Sequence, residues 1–210
     1  MSINLKKYVA HQLDTNFPVY GVKTEFKNIH LDTAIARAEY CFSRVATYSS
    51  AKVDPFHSGK YSTFLYLLAN TIYASDGQNE TATRLFLLNK MLNGIDLFYD
   101  IEMPSVFLIG HTVGMVFAKA EYGDFCVFHQ GCTVGRNFED RPSLGEGVIM
   151  YPNSSVIGRC VIGNNTVISP GVQIVNRSIP GDCMVFMGKD GDLIFKDLNE
   201  LFVKRYLILN

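Results

Sequence analysis

The sequence predicts an α+β chain in two parts: a helical N-terminal domain, residues 1–95, and a parallel β-helix of hexapeptide repeats, residues 96–190, with residues 191–210 as a C-terminal tail. Two observations carry this reading. The spacing of apolar residues changes character near Gly94, and beyond that point large aliphatic side chains recur every six residues. A hydrophobic fraction of 48% is ample for a buried core in a chain of 210 residues.

Up to Gly94 the apolar positions keep helical spacing, as in Ala34, Ala38, Phe42 and Val45. Two further runs, "STFLYLLANTIYAS" and "ATRLFLLNKML", flank the polar break "DGQNE", a connection of ordinary helix-hairpin length. The last helix is predicted to stop at Asn93 and Gly94, where glycine supplies the left-handed backbone of a C-terminal cap.

Beyond this point the chain divides into sixes that begin at Leu144, Met150, Val156, Ile162, Ile168 and Ile174. Two positions before each next block stands a smaller residue: Val148, Ser154, Cys160, Thr166, Val172 and Ser178. Counting back from Val134 extends the large positions to Phe128, Tyr122 and Val116, with Cys132, Cys126 and Ala120 as the small ones. Such a period describes coils of three short strands whose inward side chains stack on those one turn away. Between Val134 and Leu144 the count is ten rather than six, so "RNFEDRPS" is expected to leave the coil as a charged loop.

Nineteen basic against twenty acidic side chains give a net charge of −1, which offers nothing to a polyanion or an anionic membrane. Nucleic acid and membrane partners are therefore not expected. "MSINLKKYVAHQLD" lacks a continuous apolar h-region, and a cytoplasmic protein is the expectation. The five cysteines include no CxxC pair. They are read as reduced, with Cys126, Cys132 and Cys160 filling the column, and no metal site is expected.

Three stretches bear on function: "IGHTVG", Ile109–Gly114; "FHQGCTVGRN", with Gln130, Thr133 and Gly135; and "GID", Gly94–Asp96. In these, and from Ser62 to Gly188 as a whole, the chain resembles the left-handed β-helix acyltransferases of the hexapeptide family, among them the serine acetyltransferases most closely. The helical N-terminal half is similar to that of the same enzymes. The resemblance implies acetyl coenzyme A as donor and a homotrimer, or a dimer of trimers, with sites in the clefts between subunits. It places His111 on the catalytic histidine and Asp96, fifteen residues earlier, on its carboxylate partner.

The chemistry suits that assignment. Acetyl transfer needs a base for the acceptor proton, imidazole titrates near the working pH, and a carboxylate on its other nitrogen fixes the tautomer. Fifteen residues is close to a β-helix turn of about eighteen, so Asp96 is expected almost beneath His111, with Asp100 and Glu102 as alternatives. His129 follows Phe128 and should point out of the column, where it either binds the acceptor or is a surface histidine at an interface. Gln130 and Arg141 are further acceptor-binding candidates. His57, His11 and His30 have no supporting constellation and read as solvated or helix-packing residues.

For coenzyme A, Gly135 permits close backbone approach, and Tyr151, Pro152, Ser169 and Pro170 follow stacked aliphatics at positions where family members line the pantetheine slot. Coil corners favour Pro and Ser in any case. Lys189 is a candidate for a phosphate contact.

Two features depart from serine acetyltransferases. Gly110 stands where an aspartate precedes the catalytic histidine and holds the amino group of serine, and "EDRPS" lacks the histidine that follows the family's Asp–Arg pair. These changes leave the donor chemistry in place and weaken serine as acceptor. Another hydroxylated metabolite or a sugar becomes at least as good a candidate. A sugar-amine N-acetyltransferase and a non-catalytic β-helix trimer are the remaining alternatives.

Overall fold

In the computed structural model, which describes residues 4–209, helices occupy the first half and short strands the second. The helices are α1 (Leu5–Asn16), α2 (Asn28–Ser43), α3 (Ser58–Asp76) and α4 (Glu80–Asn93). The opening stretch, which sequence analysis did not single out as helical, is capped by Asn4, whose side chain accepts the Lys7 N–H at 3.1 Å. Val9 and Leu13, one turn apart, face the core. α4 has a similar cap, Asn79 accepting from the Ala82 N–H at 2.9 Å, and ends as expected at Gly94, whose φ of 65° is left-handed.

α3 is buried without a break from Gly59 to Ala69, so it must be covered on every side. α2 and α4 flank it, and the first coil of the β-helix covers the rest. The irregular chain within that coil, between Leu97 and Phe107, would bury unpaired backbone groups, but α3 satisfies several of them. Tyr66 Oη donates to the Ile101 carbonyl at 2.6 Å and accepts the Met103 N–H at 3.1 Å, and Asn70 Nδ2 donates to the Tyr99 carbonyl at 2.8 Å.

The second half is a left-handed parallel β-helix of about five turns. One face carries the strands Ile95–Leu97, Met115–Phe117, Thr133–Gly135, Ser155–Ile157 and Gln173–Val175. A second carries Phe107–Gly110, Cys126–His129, Ile149–Met150, Thr166–Ile168 and Cys183–Met187, and three shorter strands form the third. Leu144 pairs with Ile162, Met150 with Ile168 and Val156 with Ile174, three hexapeptides apart, and all six side chains are buried. The cysteines of the column are buried, and burial pushes the Cys126 thiol up to about 12, so it is not a thiolate.

The register departs from the counted one at both ends. Val116 is 43% exposed and its neighbours Met115 and Phe117 point inward, because the chain between Phe117 and Tyr122 is one residue shorter than a hexapeptide. Ser178 is likewise exposed, and Ile179 is buried in its place, bridged to Ile162. The charged loop leaves the coil as expected, pinched by paired backbone hydrogen bonds between Asn137 and Asp140.

Beyond the last coil, Leu193–Asp197 pairs antiparallel with Cys183–Met187 and closes that edge. The chain then turns back through a 3-10 helix, Phe202–Arg205, to a bridge between Leu207 and Val45 after α2. On the way Val203 and Leu207 bury the outward residues Leu108, Val127, Ile149 and Val167 of the second face. Among the described residues no helix is long and apolar enough to cross a membrane.

One corner of the coil is made by Gly123, Gly145, Gly163 and Gly181, which stack so closely that side chains are excluded. A Cβ on Gly163 would lie 2.3 Å from the Gly181 nitrogen and 2.8 Å from the Pro180 carbonyl carbon, backbone that cannot give way cheaply. Gly163→Ala is therefore expected to lower stability by about 1–3 kcal/mol in urea denaturation. An unchanged midpoint would mean that the coils are not stacked at this distance.

Candidate active site

Along the second face Ile109, Phe128, Met150 and Ile168 stack inward on successive coils. One residue further on, at the edge of that face, Gly110 lies against His129 and is followed on the next coils by Tyr151 and Ser169. The next position along the same edge holds Gln130, Pro152 and Pro170, with hydrogen bonds from Asn153 N–H to Gln130 O and from Gly171 N–H to Pro152 O, both 3.0 Å. On the first coil the matching carbonyl is that of Val113, which accepts the Gly131 N–H at 3.0 Å, so His111, directly after Gly110, belongs to a corner two residues longer than the next one. Seven residues singled out in the sequence thus form a ladder along one edge of the β-helix. His111 takes the left-handed corner conformation, φ 59°, that Asn153, Asn165 and Asn176 take at other corners. Its side chain is exposed, while that of Thr112 beside it is buried.

At the head of the ladder is a cavity of about 500 Å³ shared by Gly110, His111 and His129 with residues from the helical half and from the C-terminal tail. The connection from α2 to α3 supplies Tyr48, Phe56 and His57, and the C-terminal tail supplies Tyr206. His57 caps α3, its Nδ1 accepting the Lys60 N–H at 3.4 Å, and its ring meets Tyr48 edge-on at 5.1 Å. α3 comes so near that a Cβ on Gly59 would lie 2.9 Å from the Ile109 carbonyl oxygen. Sequence spacing gives no sign that His57 or Tyr206 approaches His111, since only tertiary packing joins the three segments.

His129 forms a wall of this cavity. Its ring stacks on Tyr151 at 5.1 Å and 8°, and Tyr206 meets it edge-on at 5.6 Å. The two tyrosine hydroxyls are 2.8 Å apart, and burial together with that bond pushes Tyr206 up to about 12. Among the described residues His129 Nε2 and Gln130 Oε1 are buried without hydrogen-bond partners. Burial first, and the charge of nearby His111 second, hold the His129 imidazole below its ordinary 6.5. Two imidazoles therefore sit together, one exposed and one in a drier setting that favours the neutral form.

Other predicted residues lie elsewhere. Asp96 is on the first face, in register with Val116, and Lys90 Nζ engages its carboxylate at 2.7 Å. Among the described residues no hydrogen bond or ion pair joins Asp96 to His111, because the short offset from a full turn carries Asp96 onto the adjacent face. With Gly135 it lines a separate cavity of about 600 Å³. Of the alternatives, Asp100 is paired with Lys119 at 2.6 Å, and Glu102 lines a third cavity with the exposed Arg141. Lys189 is exposed in the turn between the last two strands.

No protein-family model matches the sequence, and no curated protein matches it. Solved structures do match. The serine acetyltransferase of Neisseria gonorrhoeae aligns with a TM-score of 0.70 at 17% identity over 95% of this chain and 82% of its own. That of Brucella abortus strain S19, solved in complex with coenzyme A, aligns at 0.69 and 17% identity over 94% and 84%. Serine acetyltransferase isoform 3 of Entamoeba histolytica, solved with cysteine, aligns at 0.63 and 19% over 92% and 73%. The chain has the fold of these enzymes, helical domain included.

The lowered imidazole of His129 sets a direction for stability with pH. Its contribution is fully present above the unfolded value of 6.5 and is lost as pH falls from there through the lower folded value. Denaturant titrations at about pH 7.5 and 5.5 should show a smaller loss on acidification for His129→Gln than for the parent. Equal losses in the two proteins would remove His129 from this linkage.

Proposed function

We propose that this protein is an acetyl-CoA-dependent O-acetyltransferase in which His111 is the general base. The observation that carries this reading is the position of His111 directly after Gly110, at the head of the corner ladder, open to a cavity that it shares with His129. The fold shared with serine acetyltransferases, one of them solved with coenzyme A, supports it. His111 takes the acceptor's hydroxyl proton as the oxygen attacks the thioester carbonyl, and returns it to the thiolate that departs. Gln130, Tyr151, Pro152, Ser169 and Pro170 form the edge along which the pantetheine arm runs towards His111.

Residues outside the cavity enter this scheme differently. An Asp96–His111 hydrogen bond requires Asp96 to exchange Lys90 for the imidazole. Gly135, Arg141 and Lys189, which lie away from the His111 cavity within one chain, would meet such a site across a subunit boundary of a homotrimer or a dimer of trimers. There Arg141 would orient the acceptor and Lys189 would meet a coenzyme phosphate.

The lining also bears on the acceptor. Among the described residues no carboxylate lines the His111 cavity, whereas three imidazoles do, those of His57, His111 and His129. Such a cavity opposes an ammonium group and admits an uncharged or anionic hydroxyl compound, such as a sugar or another hydroxylated metabolite. Serine is correspondingly disfavoured.

Two substitutions test the scheme by following thiol release from acetyl-CoA with serine, homoserine and a panel of sugars. His111→Ala should lower kcat by roughly 10²–10⁴-fold, and full turnover in that variant would exclude His111 as the base. At Gly110 a Cβ would meet His129 Nδ1 at 3.6 Å, an ordinary contact, so the backbone admits a side chain there. Gly110→Asp should shift the preference towards serine, and an unchanged acceptor profile would detach Gly110 from specificity.

A further inference from the structure

We propose that the C-terminal tail is part of the candidate active site and that Tyr206 is its positioning residue, holding the His129 ring as the wall of the cavity beside His111. The inference rests on the acetyltransferase reading only for its catalytic consequence, since the placement itself stands on geometry. The tail is fixed on both sides of Tyr206. Its carbonyl accepts the Ala46 N–H at 2.8 Å, and the Ile208 N–H donates to the Arg44 carbonyl at 2.7 Å, so the segment is stitched to the chain leaving α2. Val203 and Leu207 are 2% and 1% exposed and anchor it to the outward face of the β-helix. Asn165 holds the start of the turn, donating to the Glu200 carbonyl and accepting the Phe202 N–H, both at 3.0 Å.

What this anchoring delivers is one aromatic ring and one hydroxyl. The Tyr206 ring closes the edge of His129, and its hydroxyl bonds that of Tyr151, on whose ring His129 is stacked. His129 is thus held between a tyrosine of the ladder and a tyrosine brought from the far end of the chain. Around the imidazole the titratable groups are His111, His57 and Tyr48 on the cavity side, Tyr151 on its face and Tyr206 at its edge. None is a carboxylate, so among the described residues the imidazole has no ionic partner in the cavity and its ring is held by the two tyrosines, Tyr206 closing its edge.

The test compares Tyr206→Ala and Tyr206→Phe with the parent, by NMR titration of isotope-labelled histidines and by acetyl-CoA turnover. Tyr206→Ala should let solvent reach His129 and bring its titration up towards the ordinary 6.5, with the His11 and His30 signals unmoved as evidence of an intact fold. kcat should fall by about tenfold or more with KM for acetyl-CoA unchanged, because a wall has been lost and not the donor slot. Tyr206→Phe keeps the ring and should restore the His129 titration and most of the rate.

A His129 titration that is the same in Tyr206→Ala as in the parent overturns the proposal. So does a shifted titration with full turnover, which would leave the tail as packing alone. If the parent transfers acetyl to no acceptor, the acetyltransferase reading falls, while the titration still decides whether Tyr206 holds the His129 ring.

Discussion

The contact between α3 and the first coil is the one on which the rest depends. A stacked column of aliphatic side chains is covered along its length by its own neighbours and left bare at its ends. At the N-terminal end α3 provides the cover: Tyr66, Phe64 and Leu68 are buried, and Tyr66 lies edge-on to Phe107 at 6.3 Å. One continuous apolar cluster therefore runs from Val9 in α1 to Val185 in the last coil. The same docking presses Gly59 onto the carbonyl of Ile109 and lays His57 beside the corner where His111 turns. A packing requirement at the end of the column thereby shapes the cavity.

The flank of the β-helix makes the complementary demand. An outward β-helix face met by water would carry polar residues, yet Leu108, Val127, Ile149 and Val167 line this one. Their burial under Val203 and Leu207 draws the C-terminal segment across the face and back to Val45, next to the connection that carries Tyr48 and His57. The C-terminal segment and the α2–α3 connection consequently meet at the cavity, and the former is held there by apolar burial instead of by the polar groups that line it.

This division explains which parts were legible in the sequence. The coils are local: Leu144, Met150, Val156 and their successors declare their period, and the edge ladder from Gly110 to Pro170 follows from that period once the register is known. Where a coil drops a residue, as between Phe117 and Tyr122, counting in sixes exposes the wrong side chain, because alternation reverses with a shift of one. The Asp96–His111 spacing misled for a related reason. Nearly a full turn is not a full turn on a three-sided coil, and the shortfall moves the carboxylate to another face within reach of Lys90. His57 and Tyr206 left no periodic trace, since each reaches the site through the docking of a whole element.

Position and chemistry separate cleanly on such a scaffold. The coil sets the spacing of the rung at Gly110 and His129, and a Cβ at Gly110 meets only ordinary contacts. Without a carboxylate there, nothing in the cavity offsets a second positive charge, and two neighbouring imidazoles cannot both be protonated at low cost. The drier ring of His129, between Tyr151 and Tyr206, is the one whose neutral form is favoured, while His111 is exposed. Asymmetric surroundings thus set the two histidines apart, His129 as a fixed wall and His111 as the exposed ring, and a single glycine on the rung leaves the cavity without an anionic group among the described residues.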